Sequence, residues 1–234
     1  PACRVAEQPT FWCLRMTTRR VTAILPSTRK VGRFSIEVDG REIGTLSIDA
    51  IERLQFAVGA TLDDRAEQEV ERERRILRTY DRALNILAAR GRASEDLRRM
   101  LVRKGEPPDC VDRAIERLRH AGYLDDAAFA REFARYKALG AGLSRRRVQQ
   151  ELGKRGVARE VSTAAIDAVF RDEGVDEKAS IERAARKKLR TLTKADGPTR
   201  TRRLYAFLAR RGYDTEDISR VIRAVIAEPA GDSD

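Results

Sequence analysis

Leu97-Arg98-Arg99-Met100-Leu101-Val102-Arg103-Lys104-Gly105 is the first of three versions of one helical ending. The second is Val148-Gln149-Gln150-Glu151-Leu152-Gly153-Lys154-Arg155-Gly156, and the third is Leu204-Tyr205-Ala206-Phe207-Leu208-Ala209-Arg210-Arg211-Gly212. Each carries an apolar residue at its first and fifth positions, then a basic pair, then glycine. Ten residues beyond the glycines stand Ile115, Ile166 and Ile222. Thirteen beyond stand Leu118, Val169 and Val225. These are helical spacings on both sides of a break. The glycines lie near fifty residues apart, which suits three helices per unit. Tandem units of this size stack on their neighbours, share a core and offer a long surface rather than a pocket.

Outward from this stretch, the pattern predicts the helices in order. A long run from Leu62 to Arg90 is capped by Asp63 or Asp64, with Ile76, Tyr80, Ala83, Leu84 and Leu87 as its apolar stripe. Ser94 caps 95–104, and Pro107-Pro108 open 109–121. Asp125 or Asp126 caps 127–139, with Phe129, Phe133 and Tyr136 inward. Ser144 caps 145–155, and 159–171 follows. Asp176 opens a helix to Leu192. Thr199 caps a helix to Arg211, and Asp214 or Thr215 caps the last, which ends near Ala227.

Before the helices the style changes. Phe34, Ile36 and Val38 alternate with polar residues, Asp39-Gly40 is a hairpin turn pair, and Ile43, Leu46 and Ile48 resume the extended pattern. A lone hairpin is marginal in water, so it is expected either to pack as a small N-terminal β-rich module or to pair with Thr22–Leu25. Pro1–Arg15 resembles nothing else in the chain and Met16 is a sensible initiator, so 1–20 is expected to be a disordered leader. The expected organisation is therefore a leader at 1–20, a β-rich module at 21–62, a linker helix with repeat 1 at 63–125, repeat 2 at 126–175, repeat 3 at 176–228 and a tail at 229–234. The fold class is all-α with a small β-hairpin module.

Charge narrows the function. The chain carries a net charge of +11, with 36% charged and 6% aromatic residues. The balance is +2 over 80–125, +3 over 126–175 and +6 over 176–228, rising toward the last repeat. Such a surface favours polyanions, although arginine-rich codon usage also raises the count. The basic residues recur on the middle helix of each repeat: Arg98, Arg99, Arg103 and Lys104; then Arg145, Arg146, Arg147, Lys154 and Arg155; then Arg200, Arg202, Arg203, Arg210 and Arg211. This ladder is the candidate contact surface for a partner or a nucleic acid.

Catalysis finds no constellation. His120 is the only histidine and sits at a helix C-terminus, and the three cysteines have no metal or disulfide spacing. No phosphate-binding glycine loop or nucleophile elbow is present. No enzyme activity, cofactor or metal is expected. No apolar run reaches transmembrane length, and a cytoplasmic location is expected.

Gly122-Tyr123-Leu124-Asp125-Asp126-Ala127-Ala128-Phe129-Ala130 resembles the RecX family of bacterial recombination regulators. So do Ala83–Leu87, Ser94 with Leu97 and Leu101, and Ser144-Arg145-Arg146 running to Val157. The resemblance implies three tandem three-helix repeats in an elongated, curved array. It implies a monomer that binds RecA and the RecA–DNA filament, restrains ATPase, strand exchange and coprotease activity, and so acts in DNA repair, the SOS response and homologous recombination. It assigns no contact residues, so the ladder rests on charge alone. The alternative is a nonspecific DNA-binding protein or a helix-turn-helix-type transcription regulator, for which Gln149-Gln150 are the faint base-reading candidates.

Overall fold

The computed structural model describes residues 19–28 and 32–227. The expectations for 1–18 and 228–234 lie outside the described residues. The chain divides into two compact units, residues 1–78 and 79–234.

In the first unit, β1 (Arg19–Pro26), β2 (Arg33–Val38), β3 (Arg41–Ser47) and β4 (Thr61–Leu62) form an antiparallel sheet in the order β3-β2-β1-β4. The expected hairpin is present: Val38 faces Arg41 across a turn in which Asp39 has φ 51° and Gly40 has φ 75°. Both positive angles belong to the two-residue turn whose twist matches that of the strands. β1 supplies the expected third strand, with Ile24 opposite Ile36. It begins at Arg19, inside the region read as leader. Ile48 does not continue β3. It opens a short helix, α1 (Ile48–Arg53), because the Ser47 hydroxyl accepts the Ala50 N–H and caps it. Alternation buries one face of the sheet: Val21, Ile36, Val38 and Leu46 pack with Ala50, Ile51 and Val70.

The long helix α2 (Asp64–Ala89) starts at Asp63, whose carboxylate accepts the Ala66 N–H at 2.7 Å. In the second unit follow α3 (Ser94–Arg103), α4 (Pro108–His120), α5 (Asp126–Arg135), α6 (Arg145–Lys154), α7 (Arg159–Asp172), α8 (Glu177–Leu189), α9 (Gly197–Arg210) and α10 (Thr215–Ala227). The positions that repeat in sequence are those the fold hides. Leu97, Leu101, Val148, Leu152, Leu204 and Leu208 are each 0% exposed. Burying a leucine or valine contributes about 1.5–3 kcal/mol, so these six anchor three cores. Ile115, Ile166, Ile222, Leu118, Val169 and Val225 close them from the third helix.

Gly105, Gly156 and Gly212 end α3, α6 and α9 with φ 86°, 80° and 88°. At the first two, the paired bonds of a left-handed helix stop are present: Glu106 N–H to Leu101 O, and Val157 N–H to Leu152 O.

Four expectations need correction. Ser94 is not the cap of α3: Ala93 holds that position, and Ser94 is the first helical residue. Asp196, not Thr199, caps α9, so Gly197-Pro198 belong to the helix, where a proline costs no hydrogen bond. α5 ends at Arg135 and continues as one wide turn, Tyr136–Gly140, closed by i→i+5 bonds. That turn swings Tyr136 outward to 69% exposure, against the inward place its spacing suggested.

Candidate functional site: the basic ladder and the joints between repeats

Each joint between repeats is made by the ends of the middle helices. Gly156, at the end of α6, lies against the first turn of α3: a Cβ there would fall 2.5 Å from the Glu95 Cβ. Gly212, at the end of α9, lies in the same way against the first turn of α6, where a Cβ would meet the Arg147 Cβ at 2.5 Å. Gly105 has no preceding repeat, and nothing lies within 4 Å of its Cβ direction. Glycine thus serves the turn in all three repeats and close approach in two.

The joints are tied by hydrogen bonds between repeats. Asp125 caps its own helix, accepting the Ala127 and Ala128 N–H groups at 2.8 and 2.9 Å. These bonds, with that of Ala128 the larger influence, hold the Asp125 carboxyl below the usual carboxylate range. Asp126 turns the other way and accepts the Ser94 N–H at 2.7 Å, capping α3 of the preceding repeat. The next joint repeats the device. Asp176 accepts the Lys178 N–H, and Glu177 accepts the Arg145 N–H at 2.9 Å. Two successive acids therefore cap two helices. Sequence reading treated Asp125 and Asp126 as alternatives and gave Glu177 no role. The doubled acid at both repeat starts was the available signal.

Against this frame the ladder divides. Arg98 pairs with Asp112 of α4 at 2.6 Å, which raises the arginine and holds the Asp112 carboxyl low. Arg99 donates to Lys154 O at 2.8 Å across the first joint, and Arg103 donates to Arg99 O. Arg145 pairs with Asp167 at 2.6 Å and lies 4.2 Å from the Phe170 ring centroid. Its Nε also lies 3.7 Å from Glu177, the carboxylate that caps the α6 N-terminus and so offsets a cation placed there. Arg147 and Arg155 flank Glu151, and Arg155 also lies over Phe133 at 4.3 Å. Arg211 lies over Phe207 at 4.3 Å and faces Gly142 O, and burial lowers its pKa. Arg200 is half-buried.

The remaining members point outward. Lys104 in repeat 1, Arg146 and Lys154 in repeat 2, and Arg202, Arg203 and Arg210 in repeat 3 are exposed and form no salt bridge among the described residues, although Arg202 is near enough to Asp196 to be attracted by its carboxylate. Gln149, the candidate base reader, turns its amide to Ser162 and Thr163. Among the described residues no group of three His, Cys, Asp or Glu is placed to hold a metal ion. No helix there is long and apolar enough to cross a membrane.

Known proteins place this architecture. Residues 80–118, 125–166 and 176–222 match the models of the first, second and third three-helix domains of RecX. The regulatory protein RecX of Mycobacterium ulcerans is 39% identical over 153 residues, which span 64% of this chain and 84% of that protein. RecX of Amycolatopsis mediterranei is 33% identical over 165 residues, spanning 70% of this chain and 93% of that protein. A crystal structure of a regulatory protein RecX superposes with a TM-score of 0.69 at 20% identity, covering 90% of this chain and all of that one, a likeness of fold. RecX from Lactobacillus salivarius gives 0.51 at 16% identity over 65% of this chain and 97% of that one. Three helical domains in the family's order, and relatives matched over most of their length, establish that this chain belongs to the RecX family of regulatory proteins.

Proposed function

We propose that the chain binds RecA and its DNA filament and restrains the filament's ATPase, strand-exchange and coprotease activities. In this reading it has no active site of its own and acts in the cytoplasm, as a monomer, on DNA repair, the SOS response and homologous recombination. Family membership supports the regulatory role. The single observation that carries the contact surface is the outward set Lys104, Arg146, Lys154, Arg202, Arg203 and Arg210: exposed cations on equivalent helices of three stacked repeats, none of them in a salt bridge among the described residues. Such an array matches a long acidic groove better than a compact ligand. Of the other ladder members, Arg98, Arg145, Arg147, Arg155, Arg200 and Arg211 are partly buried, and Arg99 and Arg103 are exposed but each donates to a backbone carbonyl.

RecA ATPase on single-stranded DNA, measured with and without the chain, tests the reading. Inhibition that weakens steeply with salt is expected, since contacts built on several charge pairs release counterions. No inhibition, with tight binding to bare duplex, would instead identify a DNA-binding protein.

A further inference from the structure

The first helices of repeats 2 and 3 carry different side chains on one face. The doubled acids Asp125-Asp126 and Asp176-Glu177 set the register of α5 against α8. Phe129, Glu132, Phe133 and Tyr136 then answer to Ser180, Arg183, Ala184 and Lys187. The buried sets keep this register: Ala130, Phe133 and Ala134 in α5, Ile181, Ala184 and Ala185 in α8. In repeat 2, Phe129 and Phe133 stack with ring centroids 5.9 Å apart. The Arg155 guanidinium lies 4.3 Å from the Phe133 centroid and meets the Glu151 carboxylate at 3.8 Å.

In repeat 3 both rings are missing. A pocket of about 360 Å³ lies at that face, lined by Ser180, Arg183, Ala184 and Lys187 of α8 together with Gly142 and Arg211. The open space forfeits packing that two phenyl rings supply in repeat 2. The charges change as well. Arg183 stands in the place of Glu132, and Lys187 in that of Tyr136. Both cations are exposed and form no salt bridge among the described residues, although Arg183 is near enough to the Tyr213 phenol to influence it. Arg211 is the counterpart of Arg155, but Phe207 takes the position of Glu151. The half-buried Arg211 guanidinium thus has the Phe207 ring at 4.3 Å, the Gly142 carbonyl at 3.5 Å and no carboxylate partner among the described residues. The two acids of the lining are engaged elsewhere. Glu173 pairs with Arg135 at 2.7 Å, and Asp176 accepts the Lys178 N–H at 2.8 Å.

We propose that this pocket binds a free mononucleotide, its base on the Arg211 guanidinium and its terminal phosphate against Arg183 and Lys187. The base takes the place that the Phe133 ring holds on Arg155 in repeat 2. A planar ring suits a space that aromatic side chains fill in the equivalent repeat, and a guanidinium stacks on such rings. Two cations without a carboxylate between them suit the near-dianion of a terminal phosphate, whereas a phosphate within a strand carries one charge. The volume lies at the small end of ligand sites, which fits one nucleotide rather than a strand.

The test is isothermal titration calorimetry with the full chain and AMP. Adenosine, ribose 5-phosphate and an oligothymidylate without terminal phosphates serve as comparators. AMP is expected to bind with a dissociation constant below about 1 mM, and adenosine and ribose 5-phosphate each at least about tenfold more weakly. Ala184→Phe restores the ring that repeat 2 carries and is expected to weaken AMP binding about tenfold or more with the melting temperature kept. If that variant fails to fold, Ser180→Phe, at a less buried position, is expected to give the same loss. Arg183→Gln with Lys187→Gln, both at exposed positions, is expected to reduce AMP to the affinity of adenosine. No binding of AMP at about 1 mM, equal binding of ribose 5-phosphate, or unchanged binding by these variants would each overturn the proposal. Tighter binding of oligothymidylate that Ala184→Phe abolishes would overturn it in favour of a strand.

Discussion

The carboxylate of Asp126 accepts the backbone N–H of Ser94 at 2.7 Å, across 32 residues of sequence. The first helix of repeat 2 thereby caps the middle helix of repeat 1, and Glu177 does the same for α6 at the next joint. Caps of this kind are ordinarily local. Here they are the fastening between units, so a residue that reads as helix initiation decides whether neighbours stay stacked.

Asp126→Ala is therefore expected to lower unfolding stability by about 1 kcal/mol, the usual cost of an N-cap. Asp126→Asn, which keeps an acceptor, is expected to lose less. Glu177→Ala should behave likewise, and the two losses should add within about 0.5 kcal/mol because they lie at separate joints. Urea denaturation of the three single variants and the double variant checks this.

The glycines separate two kinds of strain. Gly105→Ala meets only the left-handed backbone and is expected to cost about 1 kcal/mol. Gly156→Ala and Gly212→Ala meet the same backbone plus a neighbour 2.5 Å away, and each is expected to cost about 2 kcal/mol or more. Equal melting temperatures for the three variants would contradict the joint geometry.

Tyr213 ties repeat 3 to the loop before α6, its phenol donating to Gly142 O at 3.0 Å. Burial, the largest influence, pushes this phenol up to about 12 from 10.0. The folded state thus prefers the neutral form. Its contribution is fully present below 10.0 and is lost as pH rises through about 12. The parent's stability should fall more steeply across that window than that of Tyr213→Phe. At neutral pH the same substitution is expected to cost about 1 kcal/mol for the lost hydrogen bond. Denaturation curves at a series of alkaline pH values measure both.

Charge reversal must respect the division within the ladder. Arg146→Glu with Lys154→Glu, and Arg202→Glu with Arg203→Glu and Arg210→Glu, alter exposed cations and should leave melting within about 0.5 kcal/mol of the parent. They are expected to abolish inhibition of the RecA ATPase. Arg145→Glu is expected to destabilise instead, because it faces Asp167 and Glu177. Full inhibition by both outward variants at several salt concentrations would place the contact elsewhere.

Much of this protein was legible from its residues. The apolar positions around each glycine carry a helical period whatever their neighbours do, and burying them is the largest favourable term, so pattern alone determined three repeats, their cores and their glycine stops. Asp39-Gly40 marked the hairpin for an equally local reason. Tertiary structure decided what depends on partners distant in sequence. It turned Tyr136 outward through one wide turn, which no side-chain spacing announces. It assigned Asp126 and Glu177 to the preceding repeats, since an orphan N–H at a helix start takes whichever acceptor stacking brings near. It also split the ladder into fastening and outward arginines. A charged side chain reads alike in sequence whether it meets solvent, a carboxylate or a ring, and only packing places Arg145 over Phe170 while leaving Arg146 free.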